Sequence, residues 1–229
     1  MSLPHPSDKQ RFVEHMFDSI AGRYDLMNRL MTFGIDRGWR RQTIASLALS
    51  PGDRVVDLGC GTGDLSRDAA ATGARVIGMD LSASMLALAD RRDLGACFVR
   101  ADAAAMPLAA GSCDAIVSGF ALRNFVSVPS VLAECRRVLR PGGRVSLLEI
   151  DVPSSAPTRR AFDLYMGRIV PLLGRALSDG HAYRYLSDSL AYLPSDAELA
   201  DMLVGAGFEP PRKTRLTMGA AQLVTAVRR

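Results

Sequence analysis

The segment Val55-Val56-Asp57-Leu58-Gly59-Cys60-Gly61-Thr62-Gly63-Asp64 constrains this chain more than any other. A short apolar run ends in an acid, three alternate glycines follow, and a helix-like stretch begins. An apolar run of that length, bounded by turn residues, is a buried strand. A strand that turns through glycines into a helix is the start of a βα unit. The glycines permit a tight turn and a close approach of ligand to backbone. A phosphate loop carries Gly-Lys-Ser/Thr at the helix start, and none is present. A dinucleotide loop reads G-x-G-x-x-G; here the glycines are closer, and Asp57 and Asp64 flank them. Those carboxylates disfavour a pyrophosphate and suit a cationic ligand.

Around this loop the chain alternates. Arg54-Val55-Val56-Asp57-Leu58 is a strand and residues 65–71 a helix. Arg75-Val76-Ile77-Gly78-Met79 is a strand, and Ser82 caps a helix carrying Met85, Leu86 and Leu88. Cys97-Phe98-Val99 and Ala115-Ile116-Val117-Ser118 are strands. A helix with Val131, Leu132, Cys135, Val138 and Leu139 stops at Pro141-Gly142-Gly143, and Val145-Ser146-Leu147-Leu148 is the fifth strand. Such alternation predicts a doubly wound α/β fold with a mostly parallel sheet. Ser195-Asp196-Ala197-Glu198 is a capping-box pattern that opens a helix ending near Gly205-Ala206-Gly207. Strands over 212–216 and 223–227 then complete seven, pairing as an antiparallel hairpin at the sheet edge. Residues 10–31 are helical with a break at Gly22, and residues 37–49 form a second helix. Residues 153–193 interrupt the alternation with helices around 158–173 and 182–192, an insertion or lid. The chain reads as one domain, 1–229, with N-terminal helices over 1–50 and a cofactor-binding core over 51–150.

The chain has 229 residues, 48% hydrophobic and 23% charged, an ordinary globular balance. No run of about 18 apolar residues and no apolar leader is present, which points to the cytoplasm. The net charge is +4, yet lysine occurs only at Lys9 and Lys213 and no basic block or basic–aromatic interleaving is seen. That excludes a nucleic-acid partner and fits a coding bias toward arginine. A weakly basic surface is compatible with peripheral association with an anionic membrane face. Cys60, Cys97, Cys113 and Cys135 form no C-x-x-C pair, and the histidines are His5, His15 and His181, so neither a metal site nor a disulfide framework is expected. Cys97 and Cys113, in strand-like runs, are expected to be packing residues. Nothing bears on oligomeric state, and a homodimer stays open.

Asp80 closes the second strand, where a carboxylate accepts both hydroxyls of a bound ribose. Asp102 follows the third strand and can reach an adenine amino group, with the Ala103 backbone beside it for a ring nitrogen. Gly59, Gly61, Thr62, Gly63 and Ser118 complete the candidate cofactor set with Asp57. One such aspartate is an ordinary turn former; three at successive strand ends beside a glycine loop make a nucleoside site. This series resembles class I methyltransferases over residues 51–150, which implies S-adenosylmethionine as cofactor.

A narrower resemblance covers nearly the whole chain. Met16-Phe17-Asp18-Ser19-Ile20-Ala21-Gly22-Arg23-Tyr24-Asp25-Leu26-Met27-Asn28, Phe33-Gly34-Ile35-Asp36-Arg37-Gly38-Trp39-Arg40-Arg41, Phe120-Ala121-Leu122-Arg123-Asn124 and Tyr183-Arg184-Tyr185-Leu186-Ser187-Asp188-Ser189 occur in order. They are similar to segments of the menaquinone/ubiquinone-biosynthesis C-methyltransferase family. The chain departs from that family in having Ala121 for glycine, Gly119 for serine, Leu148-Glu149-Ile150-Asp151 for Leu-Glu-Phe-Ser, and no histidine near the final strand. The resemblance implies methylation of a ring carbon beside a hydroxyl on a reduced, prenylated quinone, most directly demethylmenaquinol. It implies that Arg123 stabilises the phenolate and Asn124 orients a water or the hydroxyl. His181 is the candidate general base because imidazole is the side chain whose ordinary pKa suits that role, and Tyr183 and Tyr185 are expected to line the pocket and Tyr24 to contact the methionine end of the cofactor. Met166, Ile169, Leu172, Leu173 and Leu177 suit an apolar channel. Three other readings stand beside it: a methyltransferase for a polyketide or other phenolic acceptor, a non-enzymatic partner that keeps the fold, and a cyclase that keeps the cofactor without methyl transfer.

Overall fold

The computed structural model describes residues 8–170, 172, 185 and 188–229. Five strands run parallel: β1 (Arg54–Leu58), β2 (Arg75–Asp80), β3 (Ala96–Arg100), β4 (Cys113–Gly119) and β5 (Leu139–Ile150). Antiparallel β7 (Ala221–Val227) pairs with β5 on one side and with β6 (Arg212–Leu216) on the other. The seven-stranded sheet has the order β3-β2-β1-β4-β5-β7-β6. The chain leaves β1 toward β2 and β3, then crosses back to β4 on its other side. The crevice beyond the carboxyl ends of β1 and β4 is therefore the topological switch point, where open α/β sheets bind ligands.

The central strands are covered on both faces, as their continuous apolar runs require. Val56, Leu58 and Ile116 face one core, shared with α5 (Val128–Val138) and α7 (Asp196–Gly205). Val55, Ala115 and Val117 face the other, packing on Ile44 and Leu47 near α2 (Asp36–Ser46) and on Leu65 and Ala69 of α3 (Asp64–Ala70). Ser82 caps α4 (Ala83–Asp90) by accepting the Met85 N–H at 3.1 Å. Ser195 and Glu198 form the reciprocal capping box of α7.

Several elements differ from expectation. Helix α1 (Lys9–Met31) runs straight through Gly22. Glycine costs a helix about 1 kcal/mol relative to alanine. Burial of Val13, Met16 and Ile20 before it and Met27 after it outweighs that, at roughly 1.5–3 kcal/mol per side chain. Helix α5 ends at Val138 rather than at Pro141, because Leu139 already pairs with Cys113 in the sheet. The last hairpin does stand at the sheet edge as expected, with β6 outermost and β7 between it and β5. Its buried Ala221, Leu223, Val224 and Ala226 favour an interior place, while the polar Arg212-Lys213-Thr214-Arg215 run suits the exposed edge. Cys97 is exposed rather than packed, while Cys113 is buried as expected. Within the interruption, α6 (Ala156–Leu164) continues as a π-turn over Tyr165–Ile169, and a 3-10 turn spans Ser189–Tyr192. Among the described residues no helix is long and apolar enough to cross a membrane, and no cluster of metal ligands occurs.

Candidate active site

The glycine loop leaves β1 in a conformation that side chains resist. Gly59, Gly61 and Gly63 have φ of +64°, +54° and +85°. A Cβ on Gly59 would stand 2.6 Å from the Ala121 Cβ, and one on Gly63 2.6 Å from Leu94 Cδ1. Two carboxylates shape the loop. Asp57, fully buried beneath it, accepts the Ser66 hydroxyl at 2.7 Å through Oδ2, while its buried Oδ1 has no hydrogen-bond partner. Burial pushes the Asp57 carboxyl up to about 7; the Ser66 bond opposes this and the neighbouring Asp80 charge adds to it. Asp80 accepts the Gly61 N–H and the Ser82 N–H, each at 2.9 Å, so it fixes the loop as well as facing the crevice. Burial raises its carboxyl too, against the pull of those backbone donors.

A cavity of about 290 Å³ lies in the crevice, roofed by α1. Gly59, Gly61, Asp80, Asp102 and Ala103 line it, with Glu14 and Tyr24 of α1. Its charged groups are Glu14, Asp80 and Asp102; among the described residues no lysine, arginine or histidine lines it. That donor set repels a phosphate and accommodates a cation. The free acceptor of Asp57 lies just below. A nucleoside carrying positive charge, as S-adenosylmethionine does, fits these residues. Asp102 is itself braced, accepting the Ala104 N–H at 2.9 Å and the Gln10 amide at 3.4 Å.

Helix α1 is tied down by polar contacts. Asp18 accepts from the Ser82 hydroxyl at 2.5 Å and from the Ser84 N–H at 3.1 Å. Asp25 accepts the Thr62 hydroxyl at 2.6 Å, and Arg92 bridges Asp25, the Thr62 carbonyl and Asp64 at 3.3, 2.8 and 2.8 Å. Thr62 thus joins the glycine loop to α1.

A second cavity, about 340 Å³, lies on the other side of Tyr24 and Phe120, which line both. Its wall is mostly apolar, including Trp39, Phe162, Tyr165 and Met166. Burial pushes the Tyr24 phenol up, so it stays protonated at neutral pH. Arg123 reaches this cavity from the 3-10 turn after β4 (Leu122–Asn124). Its guanidinium is ion-paired with Glu149 and donates to the Ser189 hydroxyl at 3.2 Å. Both members of the pair are buried.

Arg123 and Asn124 face different chambers: Asn124 lines the first cavity, with its amide near the Phe120 carbonyl at 3.4 Å and the Tyr185 hydroxyl at 3.3 Å. Asp57, Thr62 and Gly63 lie around the loop without lining either cavity, and the Ser118 hydroxyl donates to the Leu58 carbonyl at 2.7 Å. Tyr185 is buried against Phe12, with ring centroids 5.2 Å apart. Met166 lines the second cavity, but Ile169 and Leu172 are exposed and do not. His181, Tyr183, Leu173 and Leu177 lie outside the described residues. Of the departures from the family segments, Gly119 and Ala121 line the first cavity and Ile150 the second. Sequence reasoning missed Glu14, Trp39, Phe120 and Glu149. Glu149 carried a usable signal, since a carboxylate inside Leu147-Leu148-Glu149-Ile150 demands a buried partner.

Comparison with known proteins agrees with this geometry. The ubiE/COQ5 methyltransferase family matches residues 5–228. The ubiquinone/menaquinone biosynthesis C-methyltransferase UbiE of Syntrophotalea carbinolica is 41% identical, covering 93% of this chain and 92% of its own. The demethylmenaquinone methyltransferase of Roseiflexus castenholzii is 39% identical over 99% and 98%. Among solved structures, an S-adenosylmethionine-dependent methyltransferase of Thermotoga maritima aligns with a TM-score of 0.66 at 19% identity, covering 95% of this chain and all of that one, a likeness of fold. With the match running almost end to end and the acid-lined chamber in place, the chain belongs to the ubiE/COQ5 family of S-adenosylmethionine-dependent methyltransferases.

Proposed function

We propose that this methyltransferase acts on a ring carbon of a reduced quinone with an apolar tail, and that demethylmenaquinol is its acceptor. The observation that carries the reading is the pair of adjoining chambers. One is acid-lined, the other is mostly apolar with the buried Arg123 guanidinium and Asp36 carboxylate in its wall, and both share Tyr24 and Phe120. The relatives, a ubiquinone/menaquinone biosynthesis C-methyltransferase and a demethylmenaquinone methyltransferase, support the same acceptor.

S-adenosylmethionine bound in the first chamber supplies an electrophilic methyl group on a sulfonium. The residues there hold and orient. Each Asp80 oxygen uses one lone pair on a backbone N–H and keeps capacity for a ribose hydroxyl. Asp102 and the Ala103 backbone face the base. In the second chamber, a phenol carbon is a weak nucleophile until its hydroxyl passes its proton to a base or solvent. Arg123 stabilises the resulting oxyanion, and Glu149 keeps its guanidinium in place. The carbon–methyl bond would then form as the sulfonium–methyl bond breaks, and the displaced ring hydrogen would leave as a proton when the phenol is restored. Asn124, on the cofactor side, orients the reacting groups across the shared wall. The apolar walls exclude water, which strengthens those charge interactions. The acceptor resides in the bilayer, so the protein works from the cytoplasm as a peripheral visitor. Exposed Phe33, Ile35 and Met218 surround the mouth of this chamber.

The test is methyl transfer from labelled S-adenosylmethionine to reduced demethylmenaquinone, with the product located by mass spectrometry. A ring-carbon methyl is expected. Turnover of tailless phenols with none of the prenylated quinol would overturn the assignment.

A further inference from the structure

We propose that Phe33 and Met218 are two lips that grip the acceptor's apolar chain where it leaves the second cavity, making them determinants of specificity for chain-bearing acceptors. This inference rests on reading that cavity as the acceptor site. Both residues line the cavity, yet they are 75% and 79% exposed. They come from separate segments: Phe33 from the loop between α1 and α2, Met218 from the 3-10 turn Thr217–Gly219 between β6 and β7. Each sits in the left-handed region, with φ of +51° for Phe33 and +55° for Met218.

That combination is unfavourable twice over. A left-handed backbone disfavours a residue with a Cβ, and bulky residues most of all. Leaving a large apolar side chain in water forgoes burial. Neither site uses glycine, although glycine follows immediately in both, at Gly34 and Gly219 with φ of +74° and +90°. The surroundings hold both strained turns in place. The Trp39 indole N–H donates to the Thr217 hydroxyl at 2.8 Å, and a Cβ on Gly219 would stand 3.3 Å from the Pro153 Cα. On the opposite segment, the Gly34 N–H donates to the Arg29 carbonyl and the Ile35 N–H to the Thr32 carbonyl, each at 3.0 Å. The Phe33 ring leans on Tyr165 at 5.9 Å between centroids. Strain held this firmly at a ligand site points to function.

The occupant follows from size and chemistry. A cavity of about 340 Å³ is at the small end of ligand sites. An acceptor whose ring fills it extends its chain through the mouth, between two apolar side chains. Methionine, unbranched and flexible, adapts to such a chain, and phenylalanine offers a flat face.

The variants Phe33→Gly, Met218→Gly and the double variant test this directly. Glycine removes each side chain while relieving its backbone. Wild-type protein is first assayed in detergent micelles with a long-chain demethylmenaquinol and with the same ring lacking a chain, which tests the acceptor reading separately. With both methylated, the double variant should raise KM for the long-chain acceptor roughly tenfold, in line with loss of apolar contacts in a binding pocket. Its kcat and KM for the chainless acceptor should stay within about twofold, a selective loss that disruption of the chamber would not produce. The melting temperature should hold or rise, since glycine suits both backbones. Equal losses for the two acceptors, a lowered melting temperature, or a defect seen with vesicle-borne acceptor and absent in micelles would overturn the proposal. The last result would assign the pair to the lipid surface instead.

Discussion

Replacing Asp57 by asparagine should change how the stability of the ligand-free protein depends on pH. The Asp57 carboxyl is held at about 7 in the fold, against an ordinary value of 3.8, chiefly by burial. A folded pKa above the unfolded one means that the native state keeps its proton longer. The associated stability is full below about pH 4, declines as pH rises, and is lost above pH 7. At about 1.4 kcal/mol per pKa unit, the raised Asp57 pKa costs the fold about 4 kcal/mol at pH 8, where the group is ionised, and about 2 kcal/mol at pH 5, where the fold holds it protonated and the unfolded chain does not. Asparagine removes that cost and can still accept the Ser66 hydroxyl. Its amide N–H₂, however, takes the place of an oxygen that has no partner, costing roughly 1–3 kcal/mol. The absolute change at one pH is a difference of similar terms; the change with pH is not. Relative to wild type, the variant should gain about 2–3 kcal/mol between pH 5 and pH 8. Urea unfolding of both proteins across that range, by linear extrapolation, measures it. Parallel profiles would refute the reasoning. The same charge should favour a cationic ligand, so S-adenosylmethionine binding near pH 7 should release protons, visible by calorimetry in buffers of different ionisation enthalpy.

Asp80→Ala should weaken S-adenosylmethionine binding by roughly 1.5–3 kcal/mol, because it removes a charged acceptor; unchanged calorimetric affinity would exclude the ribose role. Glu149→Gln should destabilise the fold by about 3–5 kcal/mol by leaving the buried Arg123 guanidinium without its counter-charge, whereas an Arg123→Met, Glu149→Met double variant should lose far less in denaturant unfolding. Arg123→Ala should lower the single-turnover rate by the equivalent of roughly 2–4 kcal/mol while leaving cofactor affinity intact; near-normal transfer would remove it from the chemistry. Gly59→Ala should abolish cofactor binding through its 2.6 Å clash with Ala121, and adding Ala121→Gly should restore part of it, as read by equilibrium binding.

Much of the acid-lined chamber was legible because its information is local. Val55 to Asp64 specify strand, left-handed turns and helix within one stretch, and Asp80 and Asp102 follow at the ends of the next two strands. Periodicity likewise exposed all seven strands, six of them close to their observed bounds, and the capped helix starts at Ser82 and Ser195. The edge hairpin was legible too, but alternation did not say that β7 would be its inner strand, pairing with β5. Gly22 was misread because its propensity is local while the packing that overrides it comes from both flanks of a long helix.

The chain's own order of residues thus determined the nucleotide-type α/β core, the cationic character of its ligand and, through motif resemblance, its family. Tertiary structure alone decided the rest. It ran α1 over the acid-lined crevice, paired Arg123 with Glu149 across 26 positions, and sent neighbouring Arg123 and Asn124 to different chambers. It also brought Phe33 and Met218, far apart in sequence, to one mouth. The physical reason is range. Backbone conformation and strand–helix periodicity are set by neighbours a few residues apart, whereas a cavity wall or a buried ion pair forms only when distant segments desolvate one another.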